Sequence, residues 1–327
     1  MVPVLRVAWN HDAMSARVGI IWNPSKTTRE SLETALRKAA SAARSDVEQQ
    51  WFETTPDDPG QGAAARAIES GADVLVAAGG DGTVRAVAEH LAESGADVEL
   101  GIVPLGTGNL LARNLRVPLL NPAAAFRRAL TGEARALDVG WLEIDLEGGT
   151  ERHAFAVMAG FGLDAHMITE TDDDLKDKVG WLAYVESLGR ALSASGTLDV
   201  RITADGRELD RNSAHTLLVG NCGMLQAGIT LLPDADPGDG ELDLLVLSAD
   251  GAAGWVDTLR NMVWDNGIKR VLGGGASAES SESATHGRMR SLQVELAEPR
   301  VFEIDGEDLG ETTRVSVTVQ EGAVRVR

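Results

Sequence analysis

The sequence predicts an α/β domain with an open parallel sheet, followed by a β-rich and largely antiparallel half. Two observations predict this fold class. Short apolar runs alternate with helical segments over residues 17–133, which is typical of βαβ units. From residue 134 onwards one strand pattern follows another, interrupted by helical patterns only at about 164–193 and 252–271. The 327 residues are enough for two domains, each with its own core.

The first half begins with a buried strand over Arg17–Trp22, which ends at a turn of Asn23, Pro24 and Ser25. The run Asp73–Ala78 is continuously apolar, as expected of a parallel strand covered on both faces. Residues 1–16 fit neither pattern and are predicted to be an N-terminal extension. The other predicted strands cover 47–52 and 99–103, and the predicted helices cover 31–44, 61–70, 122–130 and the segments after Thr83 and Asn109.

The second half contains many short strand patterns separated by turn residues. A final pair over 314–319 and 323–327, joined at Glu321-Gly322, is predicted to be a hairpin. Residues 273–284 are rich in Gly, Ser and Ala and are predicted to form a loop. The other predicted strands cover 135–139, 154–157, 198–203, 216–219, 242–247, 292–296 and 301–304.

The charge balance excludes one large class of function. The chain has 50 acidic and 30 basic residues, which gives a formal charge of −20 at pH 7. Nonspecific nucleic-acid binding relies on Lys and Arg to neutralise phosphates, so no nucleic-acid partner is expected. The overall charge also gives little attraction to anionic membrane surfaces. Any phosphate site must therefore be local, and built from backbone N–H groups and a few cations.

Cysteine content and hydropathy favour a cytoplasmic protein. Cys222 is the one cysteine, so no intramolecular disulfide can form, which suits a reducing compartment. No apolar run approaches the length of about 18 residues that a transmembrane helix needs. The N-terminus shows no basic segment followed by an apolar one, so no signal peptide is expected.

A glycine-rich loop follows the buried strand at 73–78. The segment Val74–Leu91 (VLVAAGGDGTVRAVAEHL) passes from a strand through this loop directly into a helix. Glycines let the backbone approach a phosphate, and the N–H groups at a helix start favour an anion. The loop is neither a Walker P-loop nor a GxGxxG dinucleotide fingerprint. Asp81 would repel a bare phosphate unless a divalent cation lies on it; the alternative is an ordinary turn in which Asp81 caps the helix.

A second glycine-rich loop, PLGTGN at 104–109, follows the next predicted strand. Because the carboxyl ends of parallel strands meet at one edge of the sheet, we expect both loops to lie together there. The turn of Asn23, Pro24 and Ser25 is a third candidate on this edge. Ligands of open α/β folds bind at this edge, so the sequence predicts a phosphate-binding site between the loops.

The three motifs at this edge, GGDGT, PLGTGN and NPS, resemble the catalytic domain of the diacylglycerol kinases. The similarity is closest to soluble bacterial lipid kinases, a group that includes relatives of sphingosine and ceramide kinases. It continues to the C-terminus through GFGLDA at 160–165, LPDADPGDGELDLLVL at 232–247 and EIDGE at 303–307. GGDGT alone is shared with NAD kinases, whereas the ordered set of motifs is specific.

The resemblance implies two domains with the active site in the cleft between them. We expect an α/β nucleotide-binding domain over 17–133, rejoined by C-terminal strands within 314–327, and a β-sandwich acceptor domain over 134–313. The implied reaction transfers the γ-phosphoryl group of ATP, with Mg²⁺, to the primary hydroxyl of a lipid. Diacylglycerol, which would give phosphatidic acid, is the first expectation; sphingoid bases, ceramide and other glycerolipids are alternatives. An NAD kinase and a catalytically silent nucleotide-binding module are more distant alternatives.

The implied acceptor also sets the expected surroundings of the protein. A lipid substrate is presented at a membrane surface, so we expect transient peripheral contact with the inner face of the membrane. The sequence does not locate the patch that makes this contact, and it leaves a homodimer open.

The resemblance also assigns residues to nucleotide binding. The nucleotide, its phosphates and their Mg²⁺ would lie against the glycine-rich loops, the first turn and the residue after the second strand. These positions are Asn23, Pro24, Ser25, Lys26, Thr54, Gly79, Gly80, Asp81, Gly82, Thr83, Gly106, Thr107 and Asn109. Two departures from the family pattern fall nearby: Lys26 stands where a glycine is common, and Leu110 stands where an aspartate is frequent.

The DGE segment at 305–307 would supply the base that orients and deprotonates the attacking hydroxyl, as carboxylates do in other kinases. Asp305 is the first choice and Glu307 the second. From the residues alone, Asp305-Gly306 is a hairpin-turn signal, so the catalytic role comes from the resemblance.

An acidic turn spans residues 234–241, where four carboxylates occur in eight residues. Such charges repel one another unless they are solvated or bridged by a cation. The resemblance implies a structural Mg²⁺ here, with Asp236, Asp239 and Glu241 at the matching positions. The alternative is a solvated turn without a metal.

Overall fold

The computed structural model describes residues 16–162, 198–209, 213–225, 230–247 and 284–327. The helical patterns predicted at about 164–193 and 252–271 lie outside these residues, as do residues 1–15 of the predicted extension and 273–283 of the predicted loop. Among the helices described, none is both long and apolar enough to span a bilayer.

The described residues form an α/β half and a β-rich half that share one hydrogen-bonded sheet. The helices are α1 (Arg29–Ala43), α2 (Gln61–Glu69), α3 (Asp81–Ser94), α4 (Leu110–Asn114) and α5 (Pro122–Thr131). The strands of the α/β half are β1 (Ala16–Trp22), β2 (Val47–Glu53), β3 (Val74–Gly79) and β4 (Glu99–Pro104). The remaining strands are β5 (Arg135–Leu146), β6 (Gly149–Phe155), β7 (Met158–Phe161), β8 (Leu198–Ala204), β9 (Arg207–Glu208), β10 (Ser213–Ala214), β11 (Thr216–Gly220), β12 (Leu242–Leu247), β13 (Ala284–Met289), β14 (Ser291–Ile304) and β15 (Glu307–Val326).

The α/β half is a parallel sheet in the order β4-β3-β1-β2. Every residue of β3 is buried, as expected where helices cover both faces of a parallel sheet. Ala67 of α2 lies against Gly19 of β1, and Ala129 of α5 lies against Gly101 of β4. These two glycines are at alternating register positions, so α2 and α5 cover opposite faces of the sheet.

The helix starts follow from the residues that precede them. Thr28 caps α1 by accepting a hydrogen bond from the Ser31 N–H, and Asn121 caps α5 by accepting one from the Ala124 N–H. Pro122 occupies the first turn of α5, where its missing N–H has no cost. No side chain caps α3, because Gly80 precedes it.

Strand β15 joins the two halves. It pairs antiparallel with β14 and with β5, and its last residues pair parallel with β4 at Glu99 and Leu100. Arg327 fixes this end: its Nε contacts the Glu99 carboxylate, and its Nη1 donates to the carbonyls of Ala129 and Leu130 at 3.1 and 2.9 Å. The C-terminal strand therefore extends the parallel sheet and belongs to the antiparallel half as well.

The predicted terminal hairpin over 314–319 and 323–327 is wrong. Gln320 pairs with Val139 and Val324 pairs with Leu137, so both segments pair with the same strand, β5. The intervening residues form a bulge in which Gly322 adopts a φ of 58°. A glycine between strand patterns signals a bulge as well as a turn, and here the continuous partner strand decides between them.

The β-rich half is a β-sandwich with its own core. Strands β14, β7, β11, β12 and β13 follow one another in the sheet as antiparallel neighbours, and β8 pairs with residues 292–296 of β14, on the edge away from β15. The core is separate from that of the α/β half and includes Leu142, Phe155, Phe161, Leu244, Val294 and Phe302.

Gly140 of β5 faces the ring of Phe155, which is fully buried. A Cβ at residue 140 would overlap this ring, so Gly140→Ala should lower the free energy of unfolding by about 1–3 kcal/mol, as overpacked cores do. Urea denaturation followed by circular dichroism measures this loss.

Gly148, in the turn between β5 and β6, provides the matched control. A Cβ there meets no atom within 4 Å, so Gly148→Ala should leave stability unchanged or raise it by up to about 1 kcal/mol. Equal losses for both variants would contradict the packing of Gly140 against Phe155.

Candidate active site

A cleft of about 480 Å³ lies at the carboxyl edge of the parallel sheet. The loops that follow β1, β2, β3 and β4 converge on it, together with one residue from the start of β15. The lining residues are Asn23, Pro24, Ser25, Lys26, Thr54, Thr55, Pro56, Pro59, Gly80, Asp81, Gly82, Thr83, Gly106, Thr107 and Glu307. The structure therefore brings together all predicted nucleotide-contacting positions except Gly79 and Asn109, which support the lining from behind.

The GGDGT loop presents the start of α3 to this cleft. Gly80 precedes the helix and offers no side-chain acceptor to its first N–H groups. The helix start is therefore open towards the cleft, and its positive dipole end favours an anion there. Gly79 lies beneath the loop, where a Cβ would come within 2.6 Å of the Thr83 side chain.

Asp81 holds the two glycine-rich loops together. Its carboxylate accepts hydrogen bonds from the backbone N–H groups of Asn109 at 2.7 Å and Leu110 at 2.5 Å. Asp81 therefore caps α4, the helix after the second loop, and not the helix in which it lies. Burial raises the pKa of the Asp81 carboxyl group, and these two hydrogen bonds oppose that rise.

The second loop is braced by its own asparagine. The Asn109 side chain accepts from the Gly106 N–H at 2.9 Å and donates to the Gly106 carbonyl at 2.6 Å. A Cβ on Gly106 would lie 2.8 Å from the Cα of Gly80, so the two loops touch through their backbones. Glycine is required at residue 106 because no side chain fits between the loops.

Asp305 and Gly306 form the two-residue turn between β14 and β15, with φ values of 49° and 85°. Positive φ at both positions is typical of the hairpin turn that the Asp-Gly signal predicts. The buried Asp305 carboxylate accepts three backbone N–H bonds, from Ala156, Val157 and Met158, each at 2.9 Å. Burial raises the pKa of the Asp305 carboxyl group above its usual value, and the three hydrogen bonds oppose part of this rise. Asp305 thus lies in the wall behind the cleft.

Glu307 is the carboxylate of the DGE segment that lines the cleft. Its side chain is 58% exposed and reaches the GGDGT loop, because a Cβ on Gly82 would lie 3.1 Å from Glu307 Oε1. The other oxygen, Oε2, pairs with Arg85 of α3. One oxygen is therefore held by a cation, and the other is directed towards the GGDGT loop.

Arg85 is a site residue that sequence reasoning missed. Its side chain is only 13% exposed, and Nη1 lies 4.0 Å from Glu89 Oε2, one helical turn further on. An arginine between apolar residues of a helical pattern, with a glutamate four positions later, is the signal that could have found it. Its main partner, Glu307, is 222 residues away in the sequence.

The side chain of Arg288 lies among the carboxylates of the acidic turn and offsets part of their charge. This guanidinium contacts Asp239, lies 3.3 Å from Glu241 Oε2 and 3.8 Å from Asp243 Oδ2. Asp236 accepts the Gly238 N–H at 3.2 Å. Within the described residues, no group of three or more His, Cys, Asp or Glu side chains converges so as to hold a metal ion. The predicted set of Asp236, Asp239 and Glu241 does not fit a metal site in this arrangement, because an arginine takes the place of the cation.

Comparisons with known proteins agree with this architecture. The diacylglycerol kinase catalytic domain matches residues 17–142, and the YegS C-terminal NAD kinase beta sandwich-like domain matches residues 157–327. A YegS-like protein of Pseudomonas aeruginosa (strain UCBPP-PA14), named a probable lipid kinase, is 34% identical over 260 residues, which cover 80% of this chain and 78% of that protein. A diacylglycerol kinase of Mycobacterium tuberculosis (strain CDC 1551 / Oshkosh) is 31% identical over 186 residues, covering 57% and 58% of the two chains.

A solved structure shows the same fold. A diacylglycerol kinase from Bacillus anthracis str. Sterne superposes with a TM-score of 0.65 at 24% identity, covering 95% of this chain and 96% of that one. The predicted fold class is confirmed. The two halves of the chain match, in order, the two domains of one kinase family, and the relatives align across both of them. The chain therefore belongs to the diacylglycerol kinase family of lipid kinases.

Proposed function

We propose that this protein transfers the γ-phosphoryl group of MgATP to the primary hydroxyl of diacylglycerol. The observation that carries the proposal is the position of Glu307. Its carboxylate lines the cleft next to the loop at Gly80–Thr83, which is of a type that binds phosphates. A carboxylate next to an anion site is the arrangement that phosphoryl transfer to a hydroxyl requires. The Mycobacterium tuberculosis relative, named a diacylglycerol kinase, supports this acceptor over other lipids.

The nucleotide end of the cleft is built from backbone and small polar groups. The start of α3 and the touching loops at Gly80 and Gly106 would receive the phosphates, and Lys26 adds a positive charge to the lining. In a chain of net charge −20, this local construction lets a polyanionic nucleotide bind. Mg²⁺ would enter bound to ATP as part of the substrate.

Glu307 is the proposed base. Its Oε2 is held by Arg85, which orients the side chain, and its Oε1 is free to accept the proton of the attacking hydroxyl. Asp305 has a different role, because its carboxylate already accepts three N–H bonds in the wall of the cleft. Catalysis would then consist of positioning and charge neutralisation, with little covalent chemistry by the protein.

The proposed roles of Asp305 and Glu307 can be distinguished by their effects on kcat and on stability. Glu307→Gln should lower kcat by about 10²–10⁴-fold, the usual contribution of a general base, with a loss of stability below about 1 kcal/mol from the weakened contact with Arg85. Asp305→Asn should instead lower stability by about 1–3 kcal/mol, because an amide nitrogen would face backbone N–H groups. The measurements are phosphate transfer from labelled ATP to diacylglycerol in mixed micelles, and thermal unfolding.

Asp308→Asn, the exposed neighbour of Glu307, is the control and should retain full activity and stability. Full activity of Glu307→Gln, together with an inactive but fully stable Asp305→Asn, would reverse the assignment. Transfer to a sphingoid base or ceramide and not to diacylglycerol would keep the mechanism and change the acceptor. Nucleotide binding without transfer to any lipid would refute the kinase proposal.

The contact between the glycine-rich loops generates a second prediction. Gly106→Ala should push the loop away from Gly80 and weaken MgATP binding by about tenfold, since overpacking of this kind costs about 1–3 kcal/mol. Titration calorimetry with a non-hydrolysable ATP analogue measures the change. Gly148→Ala, at a turn with no neighbour, should bind as the wild type does. Unchanged affinity in Gly106→Ala would mean that nucleotide does not lie between these loops.

Arg288 makes the acidic turn independent of metal. The thermal midpoint of the wild type should be the same in Mg²⁺ and in EDTA. Arg288→Gln should lower the midpoint by about 2–4 °C in EDTA, the size expected from losing about 1 kcal/mol, and Mg²⁺ should restore it by bridging Asp239 and Glu241. A wild type that EDTA destabilises would show that a metal ion does bind this turn.

A further inference from the structure

One apolar side chain stands out on the described surface. Leu120, in the loop between α4 and α5, is 99% exposed, whereas the other large exposed apolar residue of the described chain, Val301, is 42% exposed. Residues 115–121 are called the Leu120 loop below. Among the described residues nothing covers this leucine, so its packing adds little to the stability of the fold and we look for a binding role.

The Leu120 loop lies in the longest basic stretch of an acidic protein. Residues 100–132 contain four arginines and no Asp or Glu, although the chain as a whole carries 50 acidic residues. Arg116 of the loop and Arg127 of α5 are exposed, and neither forms an ion pair with a described residue. An exposed leucine and unpaired arginines therefore occur together on one local surface.

The Leu120 loop is held in one conformation by the fold. The Arg116 carbonyl accepts from Arg128 Nη1 at 2.9 Å, and the Val117 N–H donates to the Ala112 carbonyl at 2.8 Å. At the other end Asn121 caps α5. The exposure of Leu120 is thus a property of a braced loop, built to present this side chain outwards.

The loop lies at the same edge of the sheet as the cleft. The last turn of α5, at Ala129 and Leu130, bonds to Arg327, whose N–H donates to Leu100 at the amino end of β4. The 10 residues of α5 span about 15 Å, so its first residue lies towards the carboxyl end of β4. The second glycine-rich loop is found there, and α4 connects it directly to the Leu120 loop.

We propose that the Leu120 loop, with Arg116 and Arg127, is the surface by which the protein docks on an anionic lipid bilayer. Leu120 would enter the apolar boundary of the bilayer, and the arginines would lie among the anionic headgroups. This inference rests on the proposed lipid acceptor. It also explains how a protein of net charge −20 could bind an anionic surface. Salt screens charges that lie more than about 10 Å apart, so a local basic patch can attract the headgroups.

Vesicle sedimentation tests the surface without using activity. Wild type should bind phosphatidylcholine vesicles that contain phosphatidylglycerol, and should bind more weakly without phosphatidylglycerol or at high salt. Leu120→Ser should weaken binding about tenfold. Arg116→Asn and Arg127→Gln should each weaken it about fivefold. Asn is chosen at residue 116 because the backbone there is left-handed, with φ of 56°.

Val301→Ser and Arg207→Gln are the matched controls, since both residues are exposed on the β-sandwich, and neither should change vesicle binding. A triple variant of Leu120, Arg116 and Arg127 that binds vesicles as the wild type does would overturn the proposal.

Activity on two forms of the acceptor separates this proposal from the proposed function. The triple variant should lose transfer to diacylglycerol in vesicles but keep transfer to a short-chain diacylglycerol in solution. Equal loss on both forms would show damage to the active site and would overturn the docking role. If wild type phosphorylates neither form, the proposed function fails, and the vesicle-binding comparison still decides whether this surface binds lipid.

Discussion

The carboxylate of Asp305 is the interaction on which the geometry of the cleft depends. It accepts the N–H groups of three consecutive residues, 156–158, which follow β6 and lead into β7. These bonds fix the turn between β14 and β15 in position against β7. Because the turn is fixed, Glu307, which follows it, lies beside the glycine-rich loops and pairs with Arg85.

The same device recurs at two other points of this acidic chain. Asp81 accepts two N–H groups of the second loop, and the fully buried Asp138 accepts those of Gly240 and Gly322 at 2.7 and 2.6 Å. Each carboxylate connects segments that are distant in sequence, through bonds that are stronger than neutral ones. Part of the excess negative charge is therefore inside the protein. There the carboxylates accept hydrogen bonds from backbone N–H groups that have no partner in a helix or a strand ladder.

The sequence predicted the α/β order and the convergence of the loops, because apolar runs and glycine-rich turns are local signals. It did not decide between Asp305 and Glu307, since that choice depends on backbone partners about 150 residues away. Arg85 and Arg288 were missed for the same reason, as each is recognised by the carboxylates that it meets in space. The terminal hairpin was wrong because Gly322 marks a bulge opposite a continuous strand.

Because β15 pairs with strands of both halves, its late position in the chain has a consequence for biosynthesis. Arg327 bonds to Glu99, a residue made 228 positions earlier, and β4 lacks its outer neighbour until then. On the ribosome, the loops of the α/β half can form early, whereas the edge of β4 stays unpaired and exposed to other chains. Glu307 lies at the start of the strand that closes this edge, so the proposed base is made long after the glycine-rich loops that it faces.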